Sequence, residues 1–431
     1  MTNPLRVLQV HNKYRPGWGG EDTVVDLEAD LLAKNGHSVE RLSVWTRELD
    51  GASLFRIVGA GFGTVWSVRG YRLMRDALAR FSPDIVHVHN VFPLLSPSIY
   101  WAAARGGIPV VQTMHNYRLA CANAILLRNE RPCTDCVGHF PWAALAHRCH
   151  GSSFFRTAAV SSMNVFHRWI GTFRNKIHAY IAMTDFSKEL LERAGLPGER
   201  VFVKPNFTSD PGRLVGLRYR QFVYAGEISR AKGVHLLLDA WTQLASDEFK
   251  LVMVGDGPDR AALEHYTGAR NVVWMGAQPR QKVIDQIAMS KWLVLPSLAY
   301  ENCSMTVLEA FSAGTPVVVP NHGSFRAIVS DRKEGMLFLP GDVASLASTL
   351  RAAACACEAE WMVWSGHARG RFCRELTAEA NYSQLMRVYQ KATEHFSSMS
   401  SSALMEEKRN QSRYEPENSR HAAAREGKRL P

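Results

Sequence analysis

The chain has 431 residues, of which 46% are hydrophobic, and a formal net charge of +11. That length is generous for one core and comfortable for two domains, and the apolar content excludes a wholly disordered chain. The positive charge admits nucleic acid, an anionic lipid surface or a phosphate-rich small substrate as partner. No zinc-finger, homeodomain or RNA-recognition signature is present, which argues against nucleic acid.

In chain order, the opening MTNPLRVLQV runs straight into a strand-like segment and lacks the basic-then-apolar layout of a secretory signal. No run of about 18 uncharged apolar residues follows, so no spanning helix is expected. The expectation is a cytoplasmic protein, with the inner membrane face left open as a surface it contacts, and with cysteines that are not routine disulfides. Strand-like runs occur at 7–10, 85–89, 110–113 and 180–183, then from Phe222 and at 251–254, 292–295 and 317–319. Several are continuously apolar, as strands of a parallel sheet covered on both faces must be. Amphipathic stretches separate them. The stretch 21–35 carries Val24, Leu27 and Leu31 on one face, and Gly36 is suited to end a helix.

The alternation predicts an α/β protein of two doubly wound units in series. The join falls at Lys204-Pro205-Asn206-Phe207, followed by the loop-forming Ser209-Asp210-Pro211-Gly212. Residues 1–205 form the expected first domain and 206–375 the second. A helix is expected over 376–396, and the polar stretch 397–431 reads as a disordered tail. Residues 53–80 and 140–175 are rich in aromatic, aliphatic and Arg residues, among them Phe62, Trp66, Phe154, Phe155 and Trp169. Two readings stay open there: ordinary core helices, or a basic amphipathic surface for a membrane leaflet or lipid-linked substrate.

Five groups of residues carry chemistry. In the segment 301–309, Glu301 precedes a helix capped by Ser304, and Glu309 follows more than a turn later. A loop and helix N-terminus at the carboxyl end of a parallel strand suit a phosphate. Two carboxylates there make sense as acceptors from sugar hydroxyls at either end of a diphosphate; two solvated surface glutamates are the plainer alternative. In 226–233, Arg230 and Lys232 follow a strand and could neutralise a leaving diphosphate. The turn Gly17-Trp18-Gly19-Gly20-Glu21 lets a ligand approach the first helix. It is not the dinucleotide fingerprint, because no G-x-G-x-x-G occurs, which disfavours a dehydrogenase. His89 and His115 sit at the ends of neighbouring strand-like runs. Finally, Cys121, Cys133, Cys136 and Cys149 form C-x11-C-x2-C-x12-C, which suits either a closed tetrahedral zinc site or free thiols. Cys303 lacks a base partner.

Taken together and in order, these residues resemble the group 1, or family 4, glycosyltransferases. The likeness spans most of the chain: Gly19-Gly20, the run PDIVHVHN at 83–90, His115, 226–233, Gly255-Asp256-Gly257-Pro258, Gly314-Thr315-Pro316-Val317 and Asn321-His322-Gly323, with 301–309 as the E-x7-E element. The stretch from His115 through Cys136 is similar to a bacterial polysaccharide-biosynthesis branch. The resemblance implies a GT-B fold, two Rossmann-like domains facing across a cleft, with the 376–396 helix crossing back onto the first domain. It implies a retaining hexosyl transfer from a nucleoside-diphosphate sugar to a glycan or polyprenyl-linked acceptor, with no cofactor required for catalysis. By position, Glu301 would hold donor hydroxyls and Glu309 the ribose. Asn302, Cys303, Ser304, Met305 and Thr306 would offer backbone N–H groups, Lys232 would bind phosphate, His115 would stand at the reacting centre, and Gly20 would meet the diphosphate. Two positions depart from the pattern. Glu227 stands where Arg is usual, leaving Arg230 as the expected replacement cation, and Asn302 stands where Gly is common. A non-catalytic sugar-nucleotide-binding protein and another GT-B enzyme such as an epimerase remain alternatives.

Overall fold

The computed structural model describes residues 3–13, 20–46, 61–212, 218–244, 248–265 and 271–413. Gly17, Trp18 and Gly19, residues 53–60 with Phe55, and residues 414–431 of the expected tail lie outside them.

Among the described residues, twelve of fourteen strands build two parallel sheets. The first comprises β1 (Arg6–Lys13), β2 (Ser38–Trp45), β3 (Ile85–Asn90), β4 (Val110–Thr113), β7 (Ala179–Ala182) and β8 (Val201–Val203), in the order β2-β1-β3-β4-β7-β8. Between β4 and β7 lies a small antiparallel hairpin of β5 (Leu127–Arg128) and β6 (Arg131–Pro132). The second sheet comprises β9 (Tyr219–Ala225), β10 (Lys250–Val254), β11 (Val272–Gly276), β12 (Ser290–Val294), β13 (Val317–Pro320) and β14 (Gly335–Phe338), in the order β11-β10-β9-β12-β13-β14. The apolar runs are central strands with both faces covered: every residue of β3, β4, β7 and β13 is buried. Strand order reverses at β1/β3 in the first sheet and at β9/β12 in the second. Open parallel sheets bind ligands outside the carboxyl ends of their strands at such points.

The first helix, Gly20–Lys34, buries Val24, Val25, Glu28, Leu31 and Leu32 against the first sheet. Gly36 follows with φ +86°, a left-handed turn that glycine adopts without strain. Trp361, Trp364, Ala368 and Phe372 of the helix Glu358–Glu375 belong to the second core. The chain then returns. Leu385, Val388, Tyr389 and Ala392 pack into a cluster with Val7, Ile85, Val111 and Ile181 of the first sheet. This last helix runs Ala378–Arg413, so residues 397–413 are helical rather than the disordered tail their polar composition suggested. Composition reports the lack of a burying face, but a helix already anchored by four buried residues propagates past it at little cost per residue. Among the described residues no helix is long and apolar enough to cross a membrane.

Candidate active site

The carboxyl ends of the two sheets face each other across a cavity of about 930 Å³. Two helix N-termini converge on it, one from each domain. Gly20 opens the first helix, and a Cβ there would stand 3.0 Å from the Met305 side chain, at the start of the helix Met305–Ser312. Ser304 occupies the N-cap position but makes no side-chain cap hydrogen bond. The first-turn amides of this helix therefore keep donors for an incoming anion. Cys303, Ser304, Met305 and Thr306 all line the cavity.

Lys232 and Glu301 meet at the cavity wall. Lys232 Nζ donates to Glu301 Oε1 at 2.5 Å, and Ser297 Oγ donates to the same oxygen at 3.0 Å. Burial acts to lower the Lys232 pKa, but Glu301 and then Glu227 raise it above the usual value. Lys232 is brought here by the turn Arg230–Lys232 and by Gly233, whose φ is +69° and whose Cβ, if present, would stand 2.1 Å from the Pro296 carbonyl oxygen. Only glycine permits that approach of the two loops. Asn302 is the link to the first domain. Its amide donates to the Met114 carbonyl, and Ser187 Oγ donates to its Oδ1 at 2.5 Å. Tyr117 OH donates to the Glu301 carbonyl at 3.1 Å. A glycine at 302 could make none of the side-chain contacts.

Opposite stands His115, which shares a 2.9 Å hydrogen bond with His89 Nδ1. Behind His89 lies a buried polar chain. His89 Nε2 is 3.4 Å and His87 Nδ1 2.8 Å from Glu28 Oε1, and Lys204 Nζ donates to Glu28 Oε2 at 3.2 Å. Tyr389 OH of the returning helix and Thr113 Oγ1 bond to His87 at 2.9 and 2.7 Å. Burial, reinforced by His89 and His11, pushes the His115 imidazole well below its usual pKa. Burial and His87 press His89 down to about 3. Burial alone would raise the Glu28 carboxyl, but His87 and Lys204 hold it well below the carboxylate range. Among the described residues, Glu28, His87 and His89 are the group whose ligand atoms lie within 4.8 Å of one another. A resident metal fits poorly there, because the Lys204 ammonium already supplies the cation.

Two expected site residues, Arg230 and Glu309, sit differently. Arg230 does not line the cavity; its guanidinium pairs with Glu130 at the tip of the β5–β6 hairpin, with Nη2 3.1 Å from Oε2. The anticipated replacement for the missing cation is thus engaged by a carboxylate of the other domain. Glu227 does line the cavity, and its carboxylate accepts from Ser229 Oγ at 3.1 Å. Glu309 is buried and absent from the lining. Arg280 Nε donates to it at 3.0 Å and Arg280 Nη2 to Thr208 Oγ1 at 3.0 Å. Burial raises the Glu309 pKa against the pull of Arg280. Cys303 is pushed by burial up to about 11, so its thiol is inert at neutral pH.

Two polar residues at and behind the site, Glu21 and Glu28, give no motif of their own in the sequence. Glu21 lines the cavity, and burial next to Asp22 raises its pKa to about 8, against Arg118 and Asn116. Glu28 occupies the apolar stripe of the first helix, four residues after Val24 and three before Leu31. A carboxylate in that register signals a buried partner.

Two doubly wound domains, opposed at their carboxyl ends, with paired helix N-termini and a Lys–Glu pair in the cleft define the GT-B class of glycosyl-transfer protein. Family models agree: Glycosyltransferase Family 4 matches residues 18–209 and Glycosyl transferases group 1 matches residues 219–354. The chain belongs to the group 1, family 4 glycosyltransferases. It is 26% identical over 310 residues to a 2-deoxystreptamine glucosyltransferase of Streptomyces kanamyceticus, covering 69% of this chain and 75% of that protein. It is 25% identical over 351 residues to a GDP-mannose-dependent alpha-mannosyltransferase of Mycobacterium tuberculosis, covering 78% and 85%. In fold it is similar to a Rickettsia africae glycosyltransferase, with a TM-score of 0.64 at 16% identity over 91% of this chain and 99% of that one. Anabaena HepE, solved with UDP-glucose, superposes with a TM-score of 0.61 at 15% identity over 90% and 100%.

Proposed function

We propose that this glycosyltransferase moves a hexose, with retention of configuration, from a nucleoside-diphosphate sugar to a hydroxyl of a glycan or lipid-linked acceptor in cell-surface polysaccharide synthesis. The observation that carries the reading is the convergence of Lys232, Glu301 and two helix N-termini on one cavity. The free amides and Lys232 suit the charge that develops on a departing diphosphate. Its arrival would draw Lys232 from Glu301 and release that carboxylate to accept from sugar hydroxyls. Relatives named for a glucosyl and a mannosyl transfer, and a fold neighbour solved with UDP-glucose, support a sugar-nucleotide donor.

His115 is held neutral by burial and oriented by His89, so it offers a hydrogen bond rather than a charge to the reacting centre. A donor phosphate oxygen is assigned the removal of the acceptor proton. The acceptor side is the first domain. Phe155 and Trp169 of the helix Phe154–Trp169 are 85% and 81% exposed, and Trp142 and Phe62 are 68% and 77% exposed. With Arg69, Arg72 and Arg174 nearby in sequence, these exposed aromatic side chains suit an anionic bilayer that presents a polyprenyl-linked acceptor.

The test is turnover of nucleotide sugars with product configuration read by proton NMR. An axial product from an axial donor is expected; inversion contradicts the retaining mechanism, and donor binding with neither transfer nor hydrolysis contradicts catalysis. Co-sedimentation with anionic vesicles checks the surface, and Phe155→Ser with Trp169→Ser should weaken it.

A further inference from the structure

We propose that Cys121, Cys133, Cys136 and Cys149 bind one structural zinc ion, which staples the β5–β6 hairpin into position against the second domain. All four cysteines line a single small cavity of about 10 Å³, the space of roughly one water-sized sphere. They arrive from three separate segments, and none is in a disulfide. Sulfur from Cys121 borders one small cluster, built on Tyr117, Leu126 and Leu190. Cys136 and Cys149 border another, built on Ala122, Ala144 and Val160. Neither cluster joins the main core of the first domain, so this stretch buries little apolar surface of its own. Segments of that kind are commonly held by a metal or a disulfide.

The backbone there also needs holding. Ala124, Leu126, Asn129, Glu130 and Arg148 all have positive φ although none is glycine. Such residues persist where the surroundings over-determine them. Arg128 lines the same cavity, with its guanidinium paired to Asp135 at 2.7 Å. No three of the four sulfurs lie within 4.8 Å of one another here. Thiolates about 2.3 Å from one zinc stand about 3.8 Å apart, so metal would draw them in by side-chain rotation, taking four protons from the thiols.

The consequence reaches the cleft. Cys133 follows directly on β6, and its amide donates to the Leu126 carbonyl, closing the hairpin at 2.8 Å. The hairpin tip carries Glu130, which grips Arg230 and stands 3.8 Å from His235 Nε2, both in the second domain. The zinc is thus a structural node on the first-domain side of a contact between domains.

The experiment is metal analysis of the full chain purified in reductant without chelator, with zinc released by a mercurial and read with a colorimetric indicator. About one equivalent of zinc per chain is expected, falling below about a tenth in Cys133→Ser/Cys136→Ser and unchanged in Cys355→Ser/Cys357→Ser. Chelation of the wild type should expose the 121–149 segment to limited proteolysis while both main cores stay resistant. Should the double variant fail to fold, the wild-type stoichiometry decides alone. Less than a tenth of an equivalent after zinc is added back, or four thiols that titrate freely in its presence, overturns the proposal; so does a different metal.

Discussion

Two of the Lys–Glu pairs among the described residues share one chemistry in opposite settings. Lys232 and Glu301, side chains 34% and 20% exposed, meet at the wall of the cavity. Lys204 and Glu28, 2% and 1% exposed, meet beneath the first sheet's helix, beside His87 and the returning helix. A pair at a wet cleft exchanges partners cheaply, because water and ligand can take either charge. A buried pair cannot separate without leaving an uncompensated charge. One is a latch for a ligand, the other a strut. The strut joins the interdomain segment at Lys204 to the returning helix, since Asn381 Oδ1 accepts from Lys204 Nζ at 3.1 Å.

The largest effect expected from this contrast is on stability. Glu28→Ala strands Lys204 in the core and should cost about 3–5 kcal/mol, read as the denaturation midpoint at constant slope. Glu301→Ala should change the midpoint by less than about 1 kcal/mol. Equal losses in the two variants would remove the distinction between latch and strut. Next comes turnover. Lys232→Ala should lower kcat by about 10²–10³, the range for losing one preorganised charge-stabilising donor, with the denaturation midpoint unchanged.

The pH dependence of stability sharpens the comparison further. His89 and His115 have folded pKa values below the unfolded value, so their contribution is complete above about 6.5 and is lost as pH falls. Glu28 is depressed as well, so its contribution is present above its unfolded value and also drains on acidification. Glu21 is the reverse case. Its pKa is raised from 4.5 to about 8, so the stability it confers is present below 4.5 and is lost as pH rises through about 8. Urea midpoints should therefore fall below about pH 6.5, and Glu21→Gln should remove the loss on the alkaline side only. The smallest effect is assigned to Arg230→Ala. Its pair with Glu130 is exposed, so the denaturation midpoint should barely move, and donor KM should change by less than about twofold if Arg230 does not serve the diphosphate. A hundredfold rise in donor KM would restore Arg230 to the phosphate site.

Much of this was legible in the sequence where the signal is local. Continuous apolar runs marked the central strands, and the 301–309 segment with Lys232 and His115 marked the cavity, because each sits at a fixed offset from a strand end. What escaped depends on partners far along the chain. Glu28 reads as one more helical carboxylate until Lys204, 176 residues later, is seen beside it. Arg230 reads as a phosphate ligand until the hairpin brings Glu130 to it across the cleft. Arg280 gives no motif, yet it occupies Glu309. Leu27 was expected on the buried face of the first helix; the stripe instead runs through Val24, Glu28, Leu31 and Leu32. The fate of residues 397–413 depended on an anchor upstream that polar composition does not display.

The most direct test of the donor latch is a thermal-shift screen of nucleoside diphosphates and their sugars on the wild type and Lys232→Ala. A ligand at a hundredfold its Kd should stabilise the folded chain by about 2.7 kcal/mol. The account predicts that at least one nucleotide sugar raises Tm of the wild type and that the rise largely disappears in Lys232→Ala. A wild type that responds to none of them at millimolar concentration, or an equal rise in the variant, would contradict it.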